Sequence, residues 1–312
     1  MVTFWLYVFY SIAYSQQKAI CTYPHNFFTF TPHMIITLTT DLGTRDATPA
    51  LLQALLARHI PGSKVISLTH QVTQHGWREA AYILSSSFHA FPAGTVHIAT
   101  VAPFPLALPG TVPGEKRKQT TTSMPALPII VVEAYGQYFI AHDNGLLPAA
   151  LGTNVVSAAR LCYSFSESYS LLGWIERVSG TIRLLPAFMS TPSAAYSPLI
   201  LPLPAPQIQK HVVICHIRYT DRYNNIVVNF TRHDFDTHIG NRSFCILTFK
   251  GERITSVSTH YSDVPIGAPL CRFNTAGYME LAVNHGDATA CWGIDPNDKP
   301  SHDYQIVRIS LV

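Results

Sequence analysis

The residues with the clearest chemical potential stand at one turn early in the chain, where Thr39-Thr40-Asp41-Leu42-Gly43 closes an apolar run and Asp46 follows shortly after. A carboxylate in such a place commonly accepts hydrogen bonds from a ribose diol, and it serves equally well as a helix cap or a loop brace. The spacing of the remaining reactive side chains does not offer metal chemistry. Six cysteines, at 21, 162, 215, 245, 271 and 291, contain no Cys-x-x-Cys pair, and the fifteen histidines are dispersed without ligand spacing on a recognisable helix. Most of the cysteines sit inside apolar runs and read as small buried hydrophobes of a reducing compartment.

Positioning Asp41 requires a strand that ends there. Ile35, Ile36 and Leu38 are apolar, Thr37, Thr39 and Thr40 are β-branched, and Asp41 and Gly43 stop the run, so a buried strand is predicted over 34–40. A helix should follow at once, with Thr48 as its cap, Pro49 in its first turn and Leu51, Leu52, Leu55 and Leu56 on one face. Strand patterns recur at 64–68 and 94–101 around a helical stretch at 77–88. A strand pair over 128–132 and 138–141 turns at Tyr135-Gly136, and a tight polar turn, His142-Asp143-Asn144-Gly145, leads into the apolar segment 146–151. Short apolar strands alternating with helices give a mostly parallel sheet covered on both faces, whose ligands sit at the carboxyl ends of the strands.

Two proline-rich stretches interrupt this rhythm. The long irregular segment 102–128 has the character of a functional lid or a disordered loop. The segment 190–209 carries five prolines among small residues and reads as a linker between an α/β domain over 34–189 and a second domain over 210–312. Past it the chain shows only short strands punctuated by turns, as expected of a small antiparallel barrel or sandwich.

With 312 residues, 47% hydrophobic and 12% charged, the chain is a well-buried globular protein, and its formal charge of +3 comes from scattered Lys and Arg. The single basic cluster, Lys116-Arg117-Lys118, is a solvated loop rather than a track for nucleic acid. Residues 1–33 differ from the rest: an apolar, aromatic run over 2–14 precedes Ser15-Gln16 without a basic lead. It reads as an upstream extension or a signal-like leader, too short to span a bilayer comfortably, so a cytoplasmic location is expected with secretion left open. No membrane association is expected of 34–312.

Seven stretches, in order, resemble the family of S-adenosyl-L-methionine (SAM) hydroxide adenosyltransferases and their chlorinase and fluorinase relatives. They are Ile36-Thr-Leu-Thr-Thr-Asp41-Leu-Gly43, Leu68-Thr-His70, Phe91-Pro-Ala-Gly-Thr-Val-His97, Asp143-Asn-Gly145, Thr220-Asp221-Arg-Tyr223-Asn-Asn225-Ile-Val-Val-Asn229, Tyr261-Ser-Asp-Val264, and Phe273-Asn-Thr-Ala-Gly-Tyr-Met-Glu-Leu-Ala-Val-Asn284-His-Gly286. The resemblance implies an α/β N-terminal domain with a central mostly parallel sheet between helices and an all-β C-terminal barrel. It also implies a homotrimer that holds SAM between the first domain of one subunit and the barrel of the next. SAM enters as substrate, with no cofactor and no metal.

The implied chemistry is an in-line displacement at the ribose 5′ carbon, with methionine leaving from the sulfonium, so the protein mainly positions a nucleophile and excludes bulk water. By the resemblance Asp41 holds the ribose hydroxyls, Asp221, Tyr223 and Asn225 lie at the methionine and adenine ends, and Thr275 helps to fix the amino acid. A carboxylate suits an ammonium, and an Asn side chain both donates to and accepts from an adenine edge. From the residues alone, 221–225 reads equally as a polar β-turn.

Departures from the family pattern fall on the catalytic set. Ala102 stands where the hydrolases carry an aspartate, Leu184-Leu-Pro-Ala-Phe-Met-Ser-Thr191 replaces a histidine-bearing motif, and Arg117 reaches the arginine position only across a gap. Ser67 and Thr48 replace an aspartate and a tyrosine. His97, His142 and Asp143 are the local substitutes, each of which also reads as a core or turn residue. Three functions are therefore expected to compete: a SAM hydrolase with a degenerate catalytic set, a silent SAM or adenosine binder, and a SAM-dependent halogenase.

Overall fold

The computed structural model describes residues 34–102, 126–154, 159–163, 171–191, 196–294 and 306–311. The leader 1–33, Arg117 and most of the 102–128 segment lie outside the described residues.

In the N-terminal half, strands β1 (Ile35–Thr40), β2 (Lys64–Thr69), β3 (Val96–Thr100), β4 (Ile129–Ala134), β5 (Gln137–His142) and β6 (Arg160–Tyr163) form one sheet in the order β2-β1-β3-β5-β4-β6. The first four neighbours run parallel, and β4 and β6 join antiparallel. Helices α1 (Thr48–His59), α2 (Trp77–Ser87), α3 (Leu146–Leu151), α4 (Leu171–Arg183) and α5 (Leu185–Ser190) surround it.

Alternation along the strands divides the core. Ile36, Leu38, Ile98, Val131 and Ile140 face Leu52 and Leu56 of α1 and Trp174, Val178 and Ile182 of α4. Ala99, Val101, Val132, Phe139 and Ala141 face Trp77 and Leu84 of α2 and Leu146 and Leu147 of α3. Each face is thus sealed by helices, which is why these strands read as continuous apolar runs.

Local detail differs from expectation in three places. Thr48 is not the cap of α1. The helix starts at Thr48 with Ala47 before it, and the Asp46 carboxylate accepts the Thr48 N–H at 2.9 Å. A carboxylate two residues upstream reaches that orphan N–H directly, so the threonine hydroxyl is not needed. Leu51, expected on the buried face, is 56% exposed, because a 3.6-residue period places Leu52 and Leu56 inward and turns Leu51 out. The segment 146–151 is a helix, started at Gly145 with φ 88°; a Cβ there would come within 3.0 Å of the Leu201 side chain.

Beyond 196, the chain first packs as a strap. Tyr196, Leu201 and Leu203 lie against the second of those helix-covered faces, and the Pro204 carbonyl accepts a hydrogen bond from Asn229 Nδ2 at 2.7 Å. Strands β7 (Gln207–Ile208), β8 (Val212–Thr220), β9 (Ile226–Thr231), β10 (Phe244–Leu247), β11 (Arg253–Ile254), β12 (Pro269–Phe273), β13 (Tyr278–Val283) and β14 (Ile306–Leu311) form a nearly closed barrel-like sheet in the order β11-β10-β14-β8-β9-β13-β12, with β7 on β8. All its named strand pairs are antiparallel. Its core joins Phe230, Ile246, Met279, Leu281 and Ile309 with Phe235 of α6 (Arg232–His238) and Ala288 of α7 (Ala288–Trp292). Among the described residues, Cys162, Cys215, Cys245, Cys271 and Cys291 are all free thiols and no cluster of ligating side chains could hold a metal. No helix of the described residues is long and apolar enough to cross a membrane.

Candidate functional site

Parallel register decides which loops meet. Thr40 pairs with Thr100, and Ala99 pairs with Ala141, so residues 41, 101–102 and 142–144 leave the sheet at one edge. There Asp41 Oδ2 accepts the backbone N–H of Ala102 at 3.3 Å and of His75 at 3.2 Å. Among the described residues Asp41 Oδ1 accepts no hydrogen bond, which leaves one oxygen of the carboxylate for another donor. Ala102 reaches Asp41 by adopting φ 48°, a left-handed backbone uncommon for a residue with a Cβ. Asn144 locks the same edge from the other side, since its Nδ2 donates to the Val101 carbonyl at 2.7 Å and its Oδ1 accepts the Leu146 N–H at 3.1 Å.

From Thr40, the residue before Asp41, runs a chain of hydroxyls and imidazole. Ser67 Oγ lies 2.6 Å from His70 Nε2, and His70 Nδ1 lies 2.9 Å from Thr40 Oγ1. Gln53 Nε2 donates to Ser67 Oγ, which leaves the serine hydroxyl proton for His70 Nε2 and the Nδ1 proton for Thr40. Burial holds the His70 imidazole below its ordinary range, so this chain is neutral and positions the end of β1. The stretch Leu68-Thr-His70 matched the family motif, but nothing in its own composition announced the link to Thr40.

The local substitutes for the missing catalytic groups occupy other places. His97 lies in the amino half of β3, paired across to Thr37 and Phe139. Its Nδ1 is 2.7 Å from Thr37 Oγ1 and its Nε2 is 3.0 Å from Gln137 Oε1; because Gln137 Nε2 donates to the Phe91 carbonyl, the imidazole is the neutral Nε2–H tautomer. Burial depresses its pKa to about 4. His142 is equally buried, hydrogen-bonded through Nδ1 to the Leu127 carbonyl, and depressed to about 4 for the same reason. Asp143 accepts the Tyr196 hydroxyl at 2.7 Å and the Leu199 N–H at 2.8 Å, one on each oxygen. It clasps the strap to the sheet, and the structure does not turn it toward Asp41.

In the barrel, the five residues between β8 and β9 fold on Asp221. Its Oδ1 accepts the N–H groups of Tyr223 and Asn225, both at 2.8 Å, and its Oδ2 accepts Asn225 Nδ2 at 2.9 Å. Asp221 and Asn225 are thereby brought together, with Asn225 buried, while Tyr223 projects from the tip at 78% exposure. Thr275 is exposed in the adjacent hairpin between β12 and β13, where Asn274 Oδ1 accepts the N–H groups of Ala276 and Tyr278. Among the described residues, Asp41 makes no hydrogen bond to this barrel group.

The two halves communicate through α2. Tyr82 stacks on Tyr219 at 4.8 Å, meets Tyr278 edge-on at 5.8 Å, and accepts a hydrogen bond from Asn274 Nδ2 at 3.0 Å. Arg218 completes the cluster with its guanidinium 5.0 Å from the Tyr278 ring. Burial pushes the Tyr82 hydroxyl up to about 12, so it stays protonated. The loop that leads into α2 carries His75, whose N–H holds Asp41, so this helix joins the Asp41 edge to the barrel hairpins.

Comparison with known proteins converges on one family. The model of the SAM hydroxide adenosyltransferase N-terminal domain matches residues 36–107, and that of the C-terminal domain matches residues 215–300. The (R)-S-adenosyl-L-methionine hydrolase of Thermus thermophilus is 26% identical over 270 residues, covering 81% of this chain and 93% of the relative. The enzyme of the same name from Salinispora tropica is 26% identical over 275 residues, covering 85% and 95%. Among solved structures, an uncharacterized conserved protein from Thermotoga maritima superposes with a TM-score of 0.64 at 22% identity, covering 89% of this chain and 100% of that one, and shows the fold. Matched in both halves over just over half its length, with Asp41 and Asp221 inside the matched segments, the chain belongs to the SAM hydroxide adenosyltransferase family.

Proposed function

We propose that the protein hydrolyses SAM to adenosine and L-methionine. The observation that carries this reading is similarity to hydrolases of that name across 93% and 95% of their own lengths, through both halves of the chain. In the reaction the oxygen of water forms a bond to the ribose 5′ carbon from the side opposite sulfur. The C5′–S bond breaks, its electron pair returns to sulfur to leave the neutral thioether of methionine, and the water gives up a proton to solvent. The substrate supplies its own leaving group, so the protein contributes position and dehydration.

Asp41 is proposed to accept the ribose hydroxyls through Oδ1, which has no partner among the described residues, with Oδ2 fixed by the N–H groups of His75 and Ala102. Asp221, Tyr223, Asn225 and Thr275 are proposed to take the methionine and adenine ends. Since Asp41 makes no hydrogen bond to them among the described residues and Tyr223 is 78% exposed, the complete site is proposed to need the barrel of a second subunit, as in a homotrimer. Ala102 offers no carboxylate where the family pattern has one. Loss of general-base assistance typically costs ~10²- to 10⁴-fold, so turnover is expected to be slow and not absent.

The test is to incubate the purified protein with SAM, with and without chloride, and to resolve the products by chromatography. Adenosine and methionine formed at the same rate in both media support hydrolysis. Saturable binding with no product, or a 5′-chloro nucleoside in chloride, contradicts it.

A further inference from the structure

A second pocket opens in the barrel, away from Asp41 and built from none of the residues proposed to hold SAM. It is a cavity of about 390 Å³ lined by Arg232, Val257, Ser258, Thr259, His260, Arg272 and Phe273. That volume lies at the lower end of the range of small-molecule sites. Its lining carries two guanidinium groups and two hydroxyls, and no carboxylate.

Both guanidiniums are mounted on rings. Arg232, the first residue of α6, lies 4.1 Å from the centre of the Phe273 ring, and Arg272 on β12 lies 4.6 Å from that of Tyr261. Stacking covers one face of each planar group and leaves the N–H edges as donors, the arrangement that suits a bidentate oxyanion. Arg272 is only partly satisfied by the fold: it interacts with the Tyr261 hydroxyl, while its buried Nε finds no acceptor among the described residues. Among the described residues no carboxylate pairs with Arg232.

Two acidic groups lie close by, and neither lines the pocket. Glu280, cross-strand from Arg272, offsets part of its charge and accepts the Tyr261 hydroxyl at 2.7 Å, and Asp263 accepts the N–H groups of Thr259 and His260 at 2.8 and 3.0 Å. The wall is anchored as well, since Val257 bridges to Cys271 and the Ser258 N–H bonds the Cys271 carbonyl at 2.8 Å. Two oriented guanidiniums, adjacent hydroxyls and a fixed wall form an anion receptacle.

We infer that this barrel pocket binds a small molecule through a phosphate or carboxylate group, gripped between Arg232 and Arg272. The experiment titrates the full chain at constant ionic strength with inorganic phosphate, and separately with citrate, by calorimetry and by amide shifts of Ser258, Thr259 and Phe273. Saturable binding of either probe is expected, and the tighter of the two identifies the group. Arg232→Gln should weaken it at least tenfold with an unchanged melting temperature, Arg272→Gln likewise, and Lys64→Gln in the other sheet should have no effect. Because Arg272 also touches Tyr261, the exposed Arg232 is the deciding variant. Saturating adenosine should leave anion affinity unaltered. The inference is overturned by absence of saturation up to about 10 mM, by unchanged affinity in Arg232→Gln, or by displacement of the anion with adenosine, which would assign the pocket to the substrate site.

Discussion

At the scale of single residues, Asp41 and Ala102 separate grip from turnover. Asp41→Asn removes a charge-assisted acceptor, a loss on the order of 1.5 to 3 kcal/mol, so adenosine and SAM affinity should fall roughly tenfold to over a hundredfold by calorimetry. Ala102→Asp should leave affinity nearly unchanged, because its backbone N–H already faces Asp41 and only the side chain differs. Equal losses in both variants would show that residue 102 belongs to the grip. The buried histidines give a separate prediction. His97 and His142 are neutral in the fold with pKa values near 4, against an ordinary value of about 6.5 when unfolded, so the unfolded chain binds more protons between those limits. Their contribution to stability is therefore full above about pH 6.5 and falls as pH drops toward 4, by roughly 2 kcal/mol for each at pH 5. Denaturant melts at pH 7.5 and pH 5 measure it, and His97→Gln should remove about half of the difference. Asp41 was legible at this scale because a strand visibly ended there. The roles of Gln53 and Thr40 around Ser67 and His70 were not, since their hydrogen bonds join side chains from different elements and leave no local pattern.

Among the elements, α2 carries the most consequence. Tyr82 is 6% exposed and binds the barrel by stacking and by one hydrogen bond, so Tyr82→Phe should cost about 1 kcal/mol and Tyr82→Ala about 3 to 5 kcal/mol in chemical denaturation. If α2 aligns the Asp41 edge with the barrel, Tyr82→Ala should also weaken SAM binding while Tyr82→Phe does not; equal binding in both variants would reduce the cluster to a purely stabilising contact. The parallel strands were readable from their β-branched apolar runs, and the barrel from its short punctuated strands. Helix α4 is absent from the sequence reading although Trp174, Ile175, Val178 and Ile182 keep helical spacing and Ser170, directly before it, is of a residue type that caps helices. Leu51 misled in the opposite sense: four leucines in six residues cannot all face one core. The aromatic cluster of Tyr82, Tyr219 and Tyr278 had no sequence signature, as its members come from three elements far apart in the chain.

For the whole molecule, the proposal that Asp41 and the barrel hairpins of different subunits share one site makes assembly part of the account. Light scattering of the purified chain should give a trimer mass, and Tyr223→Glu at the exposed hairpin tip should weaken both assembly and SAM binding; a monomer that binds SAM tightly would contradict the shared site. The relationship of the halves was readable from the order of motifs, but the strap of 196–206 was not, because its hold depends on Asp143 and Asn229, which lie far from it in sequence. The most direct test of the hydrolytic reading is to run the reaction with SAM in ¹⁸O-enriched water and follow adenosine and methionine by mass spectrometry. The account predicts equal amounts of the two products, with the label at the 5′ hydroxyl of adenosine. Bound SAM that stays intact, or adenosine formed without the label, would contradict it.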